Sequence, residues 1–232
     1  MTLQRKLEPE VMDSAEDATQ YNDMDHSQVN QLFVDELLAF LGTDDNFAAR
    51  LGDDNGELID VLDVGTGTAQ IPVTLCDQDS AFRVMAIDMA INMLDLAVYN
   101  VQASSSFDRI QLDQADAKDL GYEDGMFDVV ISNSIVHHIH SPKQCVAEML
   151  RVLKPGGAIF VRDLMRPDDM TTLETLVQTY AVDETEYCQQ LFNQSLHAAL
   201  TLDEIRQLVV DCGQDPEGVV ATSDRHWTWA AF

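Results

Sequence analysis

A doubly wound α/β fold is predicted for this sequence, with a mainly parallel seven-stranded sheet, a C-terminal antiparallel hairpin and an N-terminal helical cap. Three observations predict it. A short apolar run meets a glycine turn in Val61-Leu62-Asp63-Val64-Gly65-Thr66-Gly67-Thr68-Ala69. Strand and helix patterns then alternate as far as residue 162, and strands separated by helices of that length pair in parallel. The last two strand-like segments, 218–222 and 227–232, are separated by only four residues. A link that short cannot house a crossover helix, so this final pair runs antiparallel.

The elements follow in order. Residues 1–20 are polar and acidic and read as a poorly fixed arm or a frayed first helix. A helix is expected over 28–41, where Val29, Leu32, Phe33, Leu37, Leu38 and Leu41 recur at helical spacing and Gly42 stops the run. Residues 44–57 read as an exposed connection. The first strand, 58–64, is followed by a helix from 69 to 76; a second strand over 83–87 is followed by a helix over 90–101. A third strand covers 110–112 and a fourth 127–132, then a helix over 143–153 and a fifth strand over 158–162. Residues 170–180, 186–200 and 202–212 are helical in pattern. The domain reading is an arm and cap helix over 1–55 and a catalytic-type α/β domain over 56–232, with 168–213 as a helical insertion on the substrate side.

With 41 acidic and 13 basic residues the net charge is −28. Such a surface repels phosphate backbones and anionic lipid headgroups, and no local basic patch offsets it, so neither nucleic acid nor a membrane is an expected partner. Cys76, Cys145, Cys188 and Cys212 are scattered without a C-x-x-C pair, which indicates neither a zinc site nor a disulfide framework. No run approaches 18 apolar residues and residues 1–10 lack an apolar signal core, so a cytoplasmic location is expected.

Gly65 and Gly67 allow left-handed backbone, so a ligand can pack against the turn and meet main-chain N–H groups. A dinucleotide fingerprint, G-x-G-x-x-G/A, requires Gly or Ala at position 70, where this chain has Gln70. The pattern is instead acidic-x-G-x-G-x-small, with Asp63 at the strand end and Ala69 in the third small position. Asp88 ends the second strand, where a carboxylate can accept two hydrogen bonds from a ribose diol or cap the next helix. Met89 is placed to pack beside a base. Phe127 to Ser134 and the turn Leu153-Lys154-Pro155-Gly156-Gly157 follow in order.

Together these motifs, over residues 55–165, resemble the class I S-adenosylmethionine-dependent methyltransferases of small-molecule type, with Asp63 to Ala69 as their motif I. The resemblance implies S-adenosylmethionine as cofactor, held by Asp63, Gly65, Thr66, Gly67, Asp88 and Met89. It further implies Asp116 receiving the adenine amino group, the Ala117 N–H at the ring, Asn133 beside the methionine portion and Tyr21 in a cap over the site. The acceptor it implies is a small molecule, because the fourth strand ends in Asn133-Ser134-Ile135-Val136 and not in the Asn/Asp-Pro-Pro-Tyr/Phe string of amino-methylating relatives.

His26, His137, His138 and Asp163 are the candidate bases or substrate contacts. Asp163 or Arg166 can bind a polar substrate group or pair with each other. His137-His138-Ile139-His140 invites a metal reading, but spacing supplies no further ligand, and no metal is expected. Two other classes stay open: a dinucleotide-dependent oxidoreductase and a non-catalytic nucleoside-binding protein of the same fold.

Overall fold

The computed structural model describes residues 3–10, 14–52 and 56–232. Its strands form one seven-stranded sheet in the order β3-β2-β1-β4-β5-β7-β6, with β1 Ile59–Val64, β2 Phe82–Asp88, β3 Ile110–Gln114, β4 Phe127–Asn133, β5 Leu153–Leu164, β6 Val219–Ala221 and β7 His226–Ala231. β1 pairs in parallel with β2 and β4, β2 in parallel with β3, and β6 antiparallel with β7. The chain divides into two compact units: one of residues 11–132, 148–160 and 230–232, the other of residues 1–10, 133–147 and 161–229.

The first unit holds the glycine turn. Every residue of β1 except Asp60 is buried, as a central parallel strand covered on both faces requires. Helices α4, Gln70–Gln78, and α5, Ile91–Ala103, carry the two β-to-β crossovers between β1, β2 and β3. The cap is two helices, α1 Ala15–Asp23 and α2 Ser27–Leu41. α2 buries Phe33, Val34, Leu37 and Leu41 in the core that also takes Ile59, Val61, Phe82, Val84 and Phe160, while Ala18 of α1 packs with Ala90 and Met93.

The stretch expected as an exposed connection contains a short helix, α3 Asp45–Ala48. Asp44 accepts from the N–H groups of Asn46 and Phe47, which starts the turn, and burial of Phe47 holds it. β5 is longer than expected: it begins at Leu153, directly after α6 Pro142–Val152, so the Lys154-Pro155-Gly156-Gly157 string lies within the strand. A Cβ at Gly157 would sit 2.7 Å from the Asp128 carbonyl oxygen, so close backbone approach explains that glycine. Asp128 itself accepts from the Asp60 N–H and pairs with Arg50 and Lys154. Burial opposes its charge, yet those partners hold its carboxyl below the usual aspartate value.

The second unit contains α7 Met170–Tyr180, α8 Glu186–Ala198 and α9 Leu202–Asp211. Leu164, Leu173, Leu176, Val177, Leu196 and Ala199 form its apolar core, which also takes Leu3. The amino-terminal arm is therefore not poorly fixed. Leu3 N–H donates to the Asp168 carbonyl and Lys6 N–H to the His197 carbonyl, and the Arg5 guanidinium donates to the carbonyls of Ala198, His137 and Ile139. Trp227 and Trp229 are both fully buried on β7; residues two apart on a strand share a face, and Thr228 on the opposite face is buried as well.

Candidate functional site

In the first unit, the chain leaves β1 through three left-handed residues: Gly65 at φ 76°, Gly67 at φ 57° and Ala69 at φ 59°. Glycine adopts this region freely, whereas Ala69 does so at a cost of about 1 kcal/mol. The turn folds back on the end of β2. The N–H groups of Gly65 and Thr66 both donate to the Ile87 carbonyl, and that of Gly67 donates to Asp88 Oδ2 at 2.8 Å. Asp88 Oδ1 accepts from the Ala90 N–H at 2.8 Å, just before α5 begins. The expectation that these main-chain N–H groups face a ligand is thus corrected: at Gly65, Thr66 and Gly67 they are spent inside the protein.

What the turn offers is the Asp88 carboxylate with a second carboxyl, Asp63, buried beside it. Asp63 is 2% exposed, and its Oδ2 has no hydrogen-bond partner among the described residues. Burial, reinforced by the Asp88 carboxylate, pushes its pKa up to about 7. A pyrophosphate would meet like charge and no free cradle of amides here. A ligand carrying positive charge meets the opposite situation.

The cap is tied to this turn by polar bonds. The Asn100 side-chain amide donates to the Thr68 carbonyl and to Asn22 Oδ1. Asn30 of α2 donates to Gln70 Oε1, and Gln70 Nε2 reaches the Thr68 hydroxyl. Gln70, the residue that departs from a dinucleotide fingerprint, is thereby a link between cap and turn. Tyr21 lies across Gly67, its ring 3.7 Å from where a Cβ would stand. The ring is 41% exposed. Its hydroxyl end is withdrawn from water, and this, with the charges of Asp88 and Asp63, pushes the phenol pKa up to about 12. His26 packs beside Tyr21 with ring centroids 4.5 Å apart and places Nε2 3.0 Å from the Tyr21 carbonyl.

Beyond β2, Met89 is exposed and its carbonyl accepts from Gln114 Nε2. Ala117 is buried, while Asp116 closes a local turn: its Oδ1 accepts from the Lys118 N–H and stands 3.1 Å from Lys118 Nζ. The Ser132 hydroxyl, near the end of β4, donates to the Val64 carbonyl.

In the second unit, the segment after β4 starts with Asn133 and with Ser134 at φ 61°, whose N–H donates to the Arg162 carbonyl. His137 is 3% exposed, and its Nδ1 lies 2.5 Å from Asp163 Oδ1. Asp163 Oδ2 accepts from the His137 N–H. Burial opposes both charges, but each raises the other's ionised fraction: the His137 pKa is raised and that of Asp163 lowered. On the other edge of the imidazole, Nε2 stands 3.6 Å from Glu8 Oε1, and the same oxygen is 2.9 Å from His138 Nδ1. His140 meets the arm too, its N–H donating to Glu10 Oε1.

Asp163 and Arg166 do not pair with each other. Arg166 pairs with Glu204 at 2.6 Å and donates to the Ala199 carbonyl. The structure brings His137, His138 and Asp163 together in this unit; His26 belongs to the other, with Tyr21, Asp63 and Asp88. Glu8 and Arg5 were not among the residues expected to matter. They sit in a polar arm without periodicity, and only their ion pairs and carbonyl contacts identify them.

Residues 62–161 match a family model described as a methyltransferase domain. Over 108 residues the chain is 31% identical to the ubiquinone/menaquinone biosynthesis C-methyltransferase of Geotalea daltonii, covering 46% of this chain and 46% of that protein. The chain spans about half the length of the curated relatives it matches. Among solved structures, it superposes on a SAM-dependent methyltransferase from Aquifex aeolicus with a TM-score of 0.65 and 16% identity, over 94% of this chain and 97% of that one. It superposes on the plantazolicin methyltransferase, solved with a desmethyl substrate analogue and SAH, with a TM-score of 0.68 and 17% identity, over 89% and 70% of the two chains. At such identities the structural likeness is one of fold.

Proposed function

We propose that this chain, whose residues 62–161 form a methyltransferase domain on the fold of the class I S-adenosylmethionine-dependent enzymes, transfers a methyl group from S-adenosylmethionine to a small organic acceptor. The observation that carries the reading is the charge at the glycine turn. A buried Asp63 carboxyl beside Asp88 suits a ligand with a sulfonium and an ammonium group, and disfavours a pyrophosphate.

In this reading Asp88 accepts from the ribose hydroxyls with the lone pairs left after bonding Gly67 and Ala90. Gly65, Thr66 and Gly67 form the wall on which the cofactor lies, and Asp63, poised near neutrality, gives up its proton as the cationic end of the cofactor approaches. Met89, Asp116 and Ala117 hold the adenine. Tyr21, held by His26 over Gly67, covers the ligand and keeps water out. When bound, the cofactor supplies an electrophilic methyl group on a positively charged sulfur. The protein's task is then in-line positioning, which alone accounts for large accelerations.

A hydroxyl or amine acceptor needs a group to take its proton, and a carbon acceptor of the kind named for the quinone-pathway relative needs a base as well. Neither nucleic acid nor a membrane surface enters the reading, because the −28 charge opposes both. Among the described residues no helix is long and apolar enough to cross a membrane.

The test is turnover with methyl-labelled S-adenosylmethionine on a panel of phenols, quinols, amines and carboxylates, with RNA and DNA in parallel. Label in one of the small molecules is the expected outcome. Transfer only to nucleic acid would overturn the acceptor class, and cofactor binding without transfer to any member of a broad panel would favour a non-catalytic role.

A further inference from the structure

We propose that Glu8, His137 and His138 form a binding site for one divalent transition-metal ion of the zinc, cobalt or nickel type, which clasps the amino-terminal arm to the segment after β4. The proposal stands on the second unit alone and does not depend on the methyl-transfer reading. Sequence spacing places two imidazoles side by side and supplies no third ligand; the fold brings that ligand from 129 positions away.

Three ligand atoms, one from each residue, lie within 4.8 Å of one another. Glu8 Oε1 is 3.6 Å from His137 Nε2 and 2.9 Å from His138 Nδ1. Ligand atoms bound at about 2.0–2.1 Å in a tetrahedron lie about 3.3 Å apart; the two Glu8 edges, 3.6 and 2.9 Å, are within a few tenths of an ångström of that, and the third is no longer than 4.8 Å. His138 Nδ1 is buried and, close as Glu8 is, makes no aligned hydrogen bond with it.

The surroundings are those of a metal-binding histidine. Asp163 holds His137 at Nδ1, which directs the Nε2 lone pair toward Glu8 and makes the imidazole more basic; a carboxylate behind a ligating histidine serves that purpose. Arg5 contributes an opposing charge, but it is spent on the carbonyls of His137 and Ile139 and so braces the same segment. Two carboxylates, Glu8 and Asp163, stand against that one guanidinium. A carboxylate and two imidazoles suit zinc, cobalt or nickel better than magnesium or calcium, and leave a fourth position for water or an anion.

The experiment uses the tag-free full chain, stripped with chelator. Zinc is titrated against a chromophoric competitor, bound metal is counted by mass spectrometry, and cobalt is added to read the visible spectrum. The expected result is one zinc per chain, the intense visible bands of four-coordinate cobalt, and no comparable binding of magnesium. Glu8→Gln and His138→Ala each weaken zinc binding by about 100-fold, the scale on which ligand-sphere losses act, while His26→Ala, in the other unit, leaves it within about twofold. Circular dichroism melts of the stripped proteins show whether each variant is folded before it is scored. Zinc held no more tightly by the parent than by folded Glu8→Gln, or equal loss in His26→Ala, would overturn the site and assign the cluster to an ion pair.

Discussion

The Gly67 N–H donates a 2.8 Å hydrogen bond to Asp88 Oδ2, so the glycine turn after β1 and the end of β2 are built as one piece. Asp88 also accepts from the Ala90 N–H and thereby sets the start of α5. Asp88→Ala removes both bonds. We expect it to lower stability by about 1–3 kcal/mol, the cost of stranding donors to a charged group, and to weaken S-adenosylhomocysteine binding at least about 30-fold if the carboxylate also holds the ribose. Chemical denaturation and titration calorimetry read the two effects separately; a stability loss with unchanged affinity would confine Asp88 to bracing the turn.

Asp63 gives the chain a pH signature. An unfolded aspartate ionises near 3.8 and folded Asp63 near 7. Between those values the folded state keeps a proton that the unfolded state has lost, so the contribution of this group to stability falls as pH rises from about 4 to 7 and stays flat above. Asp63→Asn, neutral throughout, matches the parent near pH 3 and exceeds it at pH 8 by up to about 4 kcal/mol. Urea melts across the range check this; a difference independent of pH would show that the carboxyl is not held neutral by folding. The same variant is expected to bind S-adenosylhomocysteine more weakly.

Tyr21 lies on the turn without being part of the core. Tyr21→Ala is expected to leave the melting temperature within about 2 °C, as for a partly exposed side chain, and to weaken S-adenosylhomocysteine binding about tenfold through loss of the cover. Equal affinities would remove the lid.

Gly157 faces the Asp128 carbonyl with no room for a methyl group. Gly157→Ala pushes β5 against that backbone and is expected to cost about 2–3 kcal/mol in urea unfolding. A neutral result would mean that β5 yields there without cost.

Most of the sheet could be read from the sequence, because central parallel strands are near-continuous apolar runs. β1, β2 and β4 are of this kind. The terminal pair was readable from the short four-residue link. α3 was hidden by its acidic context, although Asp44 before a single buried Phe47 is a capping signal. At the candidate site, Asp63 and Asp88 were legible as types in a motif, but not the spending of the Gly65, Thr66 and Gly67 amides on Ile87 and Asp88. Arg5 and Glu8 were illegible for a different reason: their partners are over a hundred residues away, and a polar arm has no period to reveal them.

The measurement that bears most directly on the central claim is calorimetric titration of the full chain with S-adenosylhomocysteine, NAD and NADP, with Asp88→Ala alongside. Micromolar binding of S-adenosylhomocysteine alone, weakened in the variant, is the predicted result. Binding of either dinucleotide in its place, or of S-adenosylhomocysteine with no dependence on Asp88, would contradict the site assigned to the glycine turn.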